Sequence, residues 1–201
     1  MRIKYLLVFV ILTTISCQNA EKKIEETNIN ITIEQQVYFD YSNTQLKNTY
    51  TDTLITNFSN NNDKDSFIVN LNSGNINKSK AVFRIKNFHN LIIYEKEFYV
   101  SDLVNGYDLI SIKTDEQMES YIVDKAKSFL STENFSFPSN LKESDGILLQ
   151  SNQEDFRDYD TYLECKTENR PVFSYGLNEE NISFIGYSAK HNKVIEFLYC
   201  C

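Results

Sequence analysis

Apolar and polar residues alternate with a period of two in segment after segment of this chain. That pattern restricts it to folds built on half-buried strands. In INITIEQQVYFDYS, Ile29, Ile31 and Ile33 share one face and Asn30, Thr32 and Glu34 the other, with a phase change at Gln35-Gln36. TDTLITNF, SFIVNL, KAVFRIK, NLIIYEKEFYV and YDLISIK follow as strands, and GILLQ is a further short candidate. The loop NFHN is short enough to make KAVFRIK and NLIIYEK an antiparallel hairpin. PVFSYGL, ISFIGYS and KVIEFLYC, joined by LNEEN and AKHN, predict a closing three-stranded meander.

One segment breaks the period. From Thr114, a capping box with Gln117 and the acidic pair Asp115 and Glu116 mark a helix start. Met118, Tyr121, Ile122, Ala126, Phe129 and Leu130 then recur at three and four, which gives one apolar stripe. SNQEDFRDYDTYLEC carries two signals. Ser151 and Glu154 suit a helical cap, while Tyr159, Thr161, Leu163 and Cys165 alternate, so the reading is a short helical turn followed by a strand. With no internal repeat, the expectation is α+β: a single domain, mostly antiparallel β-sheet with one amphipathic helix packed on it.

The amino-terminal residues follow another logic. Arg2 and Lys4 precede the apolar run Tyr5 to Leu12, which is too short for the roughly 20 residues of a membrane span and gives way to QNAEKKIEETN. Charge, a short apolar core and a small residue before a cleavage point form the secretory signal pattern. Ile15-Ser16-Cys17 resembles the end of a bacterial lipobox, with Thr14 where Leu is usual, as in the looser boxes of Bacteroidetes lipoproteins. The resemblance covers the signal region and implies that Cys17 is lipidated and becomes the mature amino terminus. On this reading residues 1–16 are the signal peptide, 17–28 the lipidated cysteine and a flexible tether, and 29–201 the globular domain. The tether reaches about 35 Å when extended. Gln18, where an inner-membrane retention signal resembles Asp, implies an outer-membrane destination, with the periplasmic or surface side left open.

The chain carries a net charge of −8, and loss of Arg2 and Lys4 takes the mature form to about −10. Such a domain repels phosphate backbones, so nucleic acid is excluded as a natural partner. The acidic surface serves solubility, and it also suits a basic protein partner. The expected partners are therefore the membrane, through the lipid, and another protein.

Catalytic and metal motifs are lacking. His89 and His191, the two histidines, stand in polar turns without ligand-type neighbours. No nucleophile elbow, zinc motif or phosphate loop occurs, so no cofactor, metal or catalytic residue is assigned. Asn61, Asp63 and Asp65 alternate like calcium ligands, but Ser66 and Asn72 occupy the positions that need Gly and Glu. Asp52-Thr53-Leu54 resembles the O-glycosylation acceptor of exported Bacteroidetes proteins, which makes Thr53 a candidate modification site. The functional expectation is an outer-membrane-anchored, non-catalytic binding module for another macromolecule. The alternatives are a carbohydrate or small-ligand module, for which Tyr38, Phe39 and Tyr41 offer stacking rings, or a toxin-neutralising lipoprotein. An exported hydrolase ranks behind these.

With Cys17 lipidated, Cys165, Cys200 and Cys201 remain in an oxidising compartment. If the last strand stays regular, Ile195, Phe197, Tyr199 and Cys201 form its inward face, and Cys165 points inward with Leu163. Face matching thus favours a Cys165–Cys201 bridge, with Cys200 as the alternative. It would close a loop of about 36 residues and contribute roughly 3 to 4 kcal/mol.

Overall fold

A computed structural model describes residues 39–178 and 181–200. Within them ten strands form three antiparallel sheets, accompanied by helices, in an α+β fold rich in β structure. A two-stranded ribbon pairs β1 (Gln45–Leu46) with β4 (Gly74–Asn75). The first large sheet has the order β2 (Tyr50–Thr56), β3 (Asp65–Leu71), β5 (Lys80–Lys86) and β6 (Ile92–Tyr99). The second has the order β10 (Lys193–Cys200), β9 (Asn181–Ser188), β8 (Val172–Leu177) and β7 (Phe135–Ser136).

Alternation in the sequence becomes alternation of burial. Phe67, Val69 and Leu71 of β3 and Ala81, Phe83 and Ile85 of β5 are fully buried, and the residues between them are half-buried. These side chains meet Phe173, Tyr175, Ile185 and Val194 of the second sheet. Edge-on ring contacts, such as Phe67 to Phe173 at 5.1 Å and Phe83 to Phe129 at 5.1 Å, give the layer its specificity. The helix expected after Thr114 is α1 (Asp115–Phe129). Thr114 accepts from the Gln117 amide at 3.2 Å, while Gln117 Oε1 accepts from the Lys113 amide at 2.7 Å. Met118, Ile122, Ala126 and Phe129 are its buried residues and join the same core.

The second sheet is buried on both faces. Behind it, Val172, Phe184, Phe197 and Leu198 pack against Leu148, Tyr162 and Cys165 from α2 (Gly146–Gln150) and α3 (Tyr159–Thr167). This helical layer corrects two sequence expectations. GILLQ is helical because a short apolar run satisfies either period, and here Ile147 and Leu148 must cover a sheet face rather than join one. The stretch from Tyr159 is also helical. Asp158 caps it through the Thr161 amide at 3.0 Å, and Tyr162 and Cys165, three apart, are buried while Leu163 is exposed. The alternation of Tyr159, Thr161, Leu163 and Cys165 was coincidental, since residues two apart on a helix point to different sides. YDLISIK, expected as a strand, is instead a 3-10 turn over Gly106–Ser111, capped by Asn105 on the Tyr107 amide at 3.0 Å.

Candidate interaction surface

Among the described residues the first sheet is covered on one face only. Its outward residues run in register across the four strands: Thr51, Asn70, Val82 and Glu97 in one row, and Thr53, Ile68, Arg84 and Glu95 in the next. Ile55, Ser66, Lys86 and Ile92 make the third. Among the described residues no other element lies over these rows, and the shallow depression between them is walled by Thr51, Ile68, Asn70, Arg84, Lys86 and Ile92. Strand propensity explains the isoleucines, since β-branched residues suit a pleated surface, but not their exposure.

Exposure rises toward one end of the sheet. Ile55 is 59% exposed, Ile92 54%, and Phe88 and Leu91, in the hairpin between β5 and β6, are 48% and 60% exposed. The hairpin tip is held from within: Asn87 Oδ1 accepts from the His89 and Leu91 amides at 3.0 Å each, and Asn90 takes the left-handed conformation, with φ at 63°. The apolar side chains thus stand on a fixed turn. The chain enters the described fold at the sheet's other end, where the Ile76 amide donates to the Thr44 carbonyl and Thr44 Oγ1 donates to Asp115.

Charge on the open face is mixed. Arg84 pairs with Glu95, and Lys80 lies 4.0 Å above the Tyr99 ring. Most of the acidity sits elsewhere. Residues 143–168 hold eight carboxylates (Glu143, Asp145, Glu154, Asp155, Asp158, Asp160, Glu164 and Glu168) against Arg157 and Lys166. Five of the eight hold backbone amides or a buried guanidinium, and Asp160 pairs with Lys190 at 3.7 Å. Asp145, Asp155 and Asp158 accept from the backbone amides of Lys142, Asn152 and Thr161, and Glu164 and Glu168 flank the guanidinium of Arg170. These carboxylates follow from helix starts and one buried cation.

The residues singled out in the sequence fall in different places. Thr53 is exposed in the middle row of the open face, on an edge strand. Cys17 and Tyr38 lie outside the described residues, whereas Phe39 and Tyr41 pack partly buried against the main core. They are core-covering residues. His89 and His191 are exposed in turns, and the His89 ring lies tilted against Phe88 with centroids 3.8 Å apart. Among the described residues no group of three His, Cys, Asp or Glu converges as a metal centre. Asp65, the third of the alternating Asn61, Asp63 and Asp65, turns inward and accepts from the Ser59 amide at 2.6 Å and from its hydroxyl at 3.0 Å. Burial raises its pKa, against the lowering effect of those bonds.

The cysteine geometry changes for a local reason. Glu196 pairs with Ile185 and Leu198 with Phe184, so Phe197 is an extra residue in a bulge. Its carbonyl accepts from the amides of Arg157 at 2.8 Å and Asp158 at 3.3 Å, and Phe197 and Leu198 are both buried. The bulge reverses the faces beyond it. Tyr199 is exposed, and Cys200, opposite Ile182, shares the helix-covered side with Cys165. Cys165 itself packs at the level of Gly186 and Tyr187, its thiol donating to the Tyr187 carbonyl at 3.8 Å. Ile182 lies four residues from Gly186, about 13 Å along the strand. A disulfide needs Cα atoms within about 7 Å, so a Cys165–Cys200 bridge requires the strand end to move. Cys201, the favoured partner, lies outside the described residues.

The sequence reading missed Arg170. It is 2% exposed, donates from Nε to Glu168 at 2.7 Å and from Nη1 to the Tyr187 carbonyl at 2.6 Å, and lies 5.5 Å from the Tyr187 ring. It ties the end of α3 to β9. Nothing in TENRPV distinguishes it from a solvated turn residue.

Comparison with protein-family models, curated proteins and solved structures finds no match for this chain.

Proposed function

We propose that this chain is a lipoprotein anchored through Cys17 in the outer membrane, and that its folded part is a non-catalytic binding module for another protein. The open face of the first sheet, with the hairpin tip at its end, is the contact surface. The observation that carries this reading is the placement of Ile55, Phe88, Leu91 and Ile92. Four large apolar side chains stand exposed on paired strands and a braced turn, beside a sheet face with no described cover. Phe88, Leu91 and Ile92 fall within five consecutive residues at the hairpin, and apolar side chains grouped in this way mark contact sites more often than scattered ones such as Ile55, three strands away, do. The whole-chain charge of −8 favours a basic partner at long range, so the association rate falls with added salt. A glycan on Thr53 would shield the middle row and confine contact to the tip.

A photoreactive amino acid placed at Ile55 or Ile92 in living cells gives a discrete cross-linked adduct, and the same group at Glu154 on the helical layer gives none. Equal adduct patterns at all three positions, or none at the first two, overturn the surface. The anchor has its own test. A fatty-acid analogue labels the wild type and not Cys17→Ala, and equal label in both rejects lipidation.

A further inference from the structure

Among the described residues the two large sheets end in four edge strands, and three of them are guarded. In the second sheet, β7 has only two residues, and β10 is interrupted at Phe197, whose carbonyl already holds the Arg157 and Asp158 amides. In the first sheet, β6 bulges at Ile93, carries the charged run Glu95, Lys96 and Glu97, and runs beside β10. Shortness, bulges, charges and cover are the usual protection of an unpaired edge. β2 is different. It keeps one unbroken register with β3 over Tyr50–Thr56 and holds no Lys, Pro or Gly. Its single charge, Asp52, is half-buried opposite Val69.

The ladder fixes which groups of β2 are unpaired. The Asn72 amide continues the β3–β5 register and donates to the Lys80 carbonyl at 3.1 Å, so the even-numbered residues of β3 bond to β5. In an antiparallel ladder its odd-numbered residues then bond to β2. Through the register, Tyr50, Asp52, Leu54 and Thr56 face β3, while Thr51, Thr53 and Ile55 turn their amides and carbonyls to the free edge. The Thr53 amide agrees with this direction, since it donates to Asp52 Oδ1 of its own strand at 2.8 Å.

We propose that the free edge of β2 pairs with the same edge of a second copy of this chain, antiparallel, about a two-fold axis at Thr53. Thr53 then faces Thr53 of the second copy, and Thr51 faces its Ile55, so every amide and carbonyl of the edge finds a partner. An axis normal to the sheet keeps the outward side chains outward, and each facing pair is β-branched, which suits neighbouring strands. Asp52 faces Leu54, and the two Asp52 carboxylates lie on a diagonal of about 7–8 Å. The neighbouring registers are worse. Axes at Asp52 or Leu54 each leave one edge residue unpaired, and the first sets the two Asp52 carboxylates face to face. The joined sheet leaves its open face free for a partner, so this pairing and the proposed contact surface fail separately.

The test is sedimentation velocity on the full chain, with Cys17→Ala to keep it free of lipid, made in a host that adds no O-glycan to Thr53. The chain shows a concentration-dependent monomer–dimer equilibrium between about 5 and 500 µM. Thr53 is exposed, so Thr53→Lys and Thr53→Glu keep the fold by circular dichroism. Each sets like charges across the axis and weakens the dimer about fivefold, whereas an equimolar mixture of the two restores it to at least wild-type strength. A chain that stays monomeric throughout overturns the proposal. So does a dimer as strong in Thr53→Lys as in the wild type, which places the contact elsewhere. A mixture no stronger than its two components removes the axis at Thr53 and with it the proposed pairing.

Discussion

Gly186→Ala is the most informative single change in this protein. Gly186 lies on β9 under α3, and a methyl group there would sit 2.9 Å from Cys165 Sγ and 3.2 Å from Phe197 Cε1. Neither neighbour yields easily. Cys165 is a short side chain on a helix whose end is tied to β9 by Arg170, and Phe197 belongs to a bulge whose carbonyl holds two amides. Overpacking of a core costs about 1–3 kcal/mol, and two close contacts on fixed elements put this case at about 2–3 kcal/mol. Cys165→Ala alone loses a buried sulfur and costs about 1–2 kcal/mol. In the double variant the sulfur contact vanishes and the new methyl fills part of the void. The pair together therefore costs about 2 kcal/mol, and the coupling is at least about 1 kcal/mol in favour of the double variant. Urea unfolding reads this as shifts in midpoint at constant slope. Costs that add without coupling, or a neutral Gly186→Ala, would refute the packing of α3 on β9.

Arg170→Ala removes a buried side chain and its bonds, but it leaves Glu164 and Glu168 able to reach water, so the loss is about 2–4 kcal/mol by the same assay; a loss under 1 kcal/mol would contradict the clamp. Asp65 gives a pH signature. Its folded-state pKa is raised above the ordinary 3.8, so its stabilising contribution is complete below that value and is lost as pH rises through the raised one. The stability of the wild type relative to Asp65→Asn therefore falls between pH 3.8 and neutrality, and a flat or rising difference would show that its hydrogen bonds outweigh burial. Cys165 tests burial directly. Its thiol pKa is pushed up to about 11 by burial, so under reducing conditions at pH 8 iodoacetamide modifies it far more slowly in the native protein than in urea. Comparable rates would mean that the helical layer opens readily.

Some of this structure is legible in the residues alone because the forces involved are local or periodic. The hairpin at NFHN, the closing meander and the helix after Thr114 each have an unbroken apolar period and their own turn or cap chemistry. The segments from Gly146 to Thr167 have cap residues such as Asp158 but no unbroken apolar period. A run such as GILLQ suits strand and helix equally, and the second sheet decides, because its rear face needs a cover that pairs with nothing. The cysteine faces depend on one inserted residue. A bulge at Phe197 leaves no mark in VIEFLYCC, yet it reverses every side chain beyond it, since alternation has a period of two. The sites are non-local in the same way. Arg170 is buried because Tyr187 and two glutamates from α3 and the turn after it surround it. Period and capping act over a few neighbouring residues and can be read in order along the chain. Burial depends on what the rest of the fold brings against a residue, so only the tertiary structure decides it.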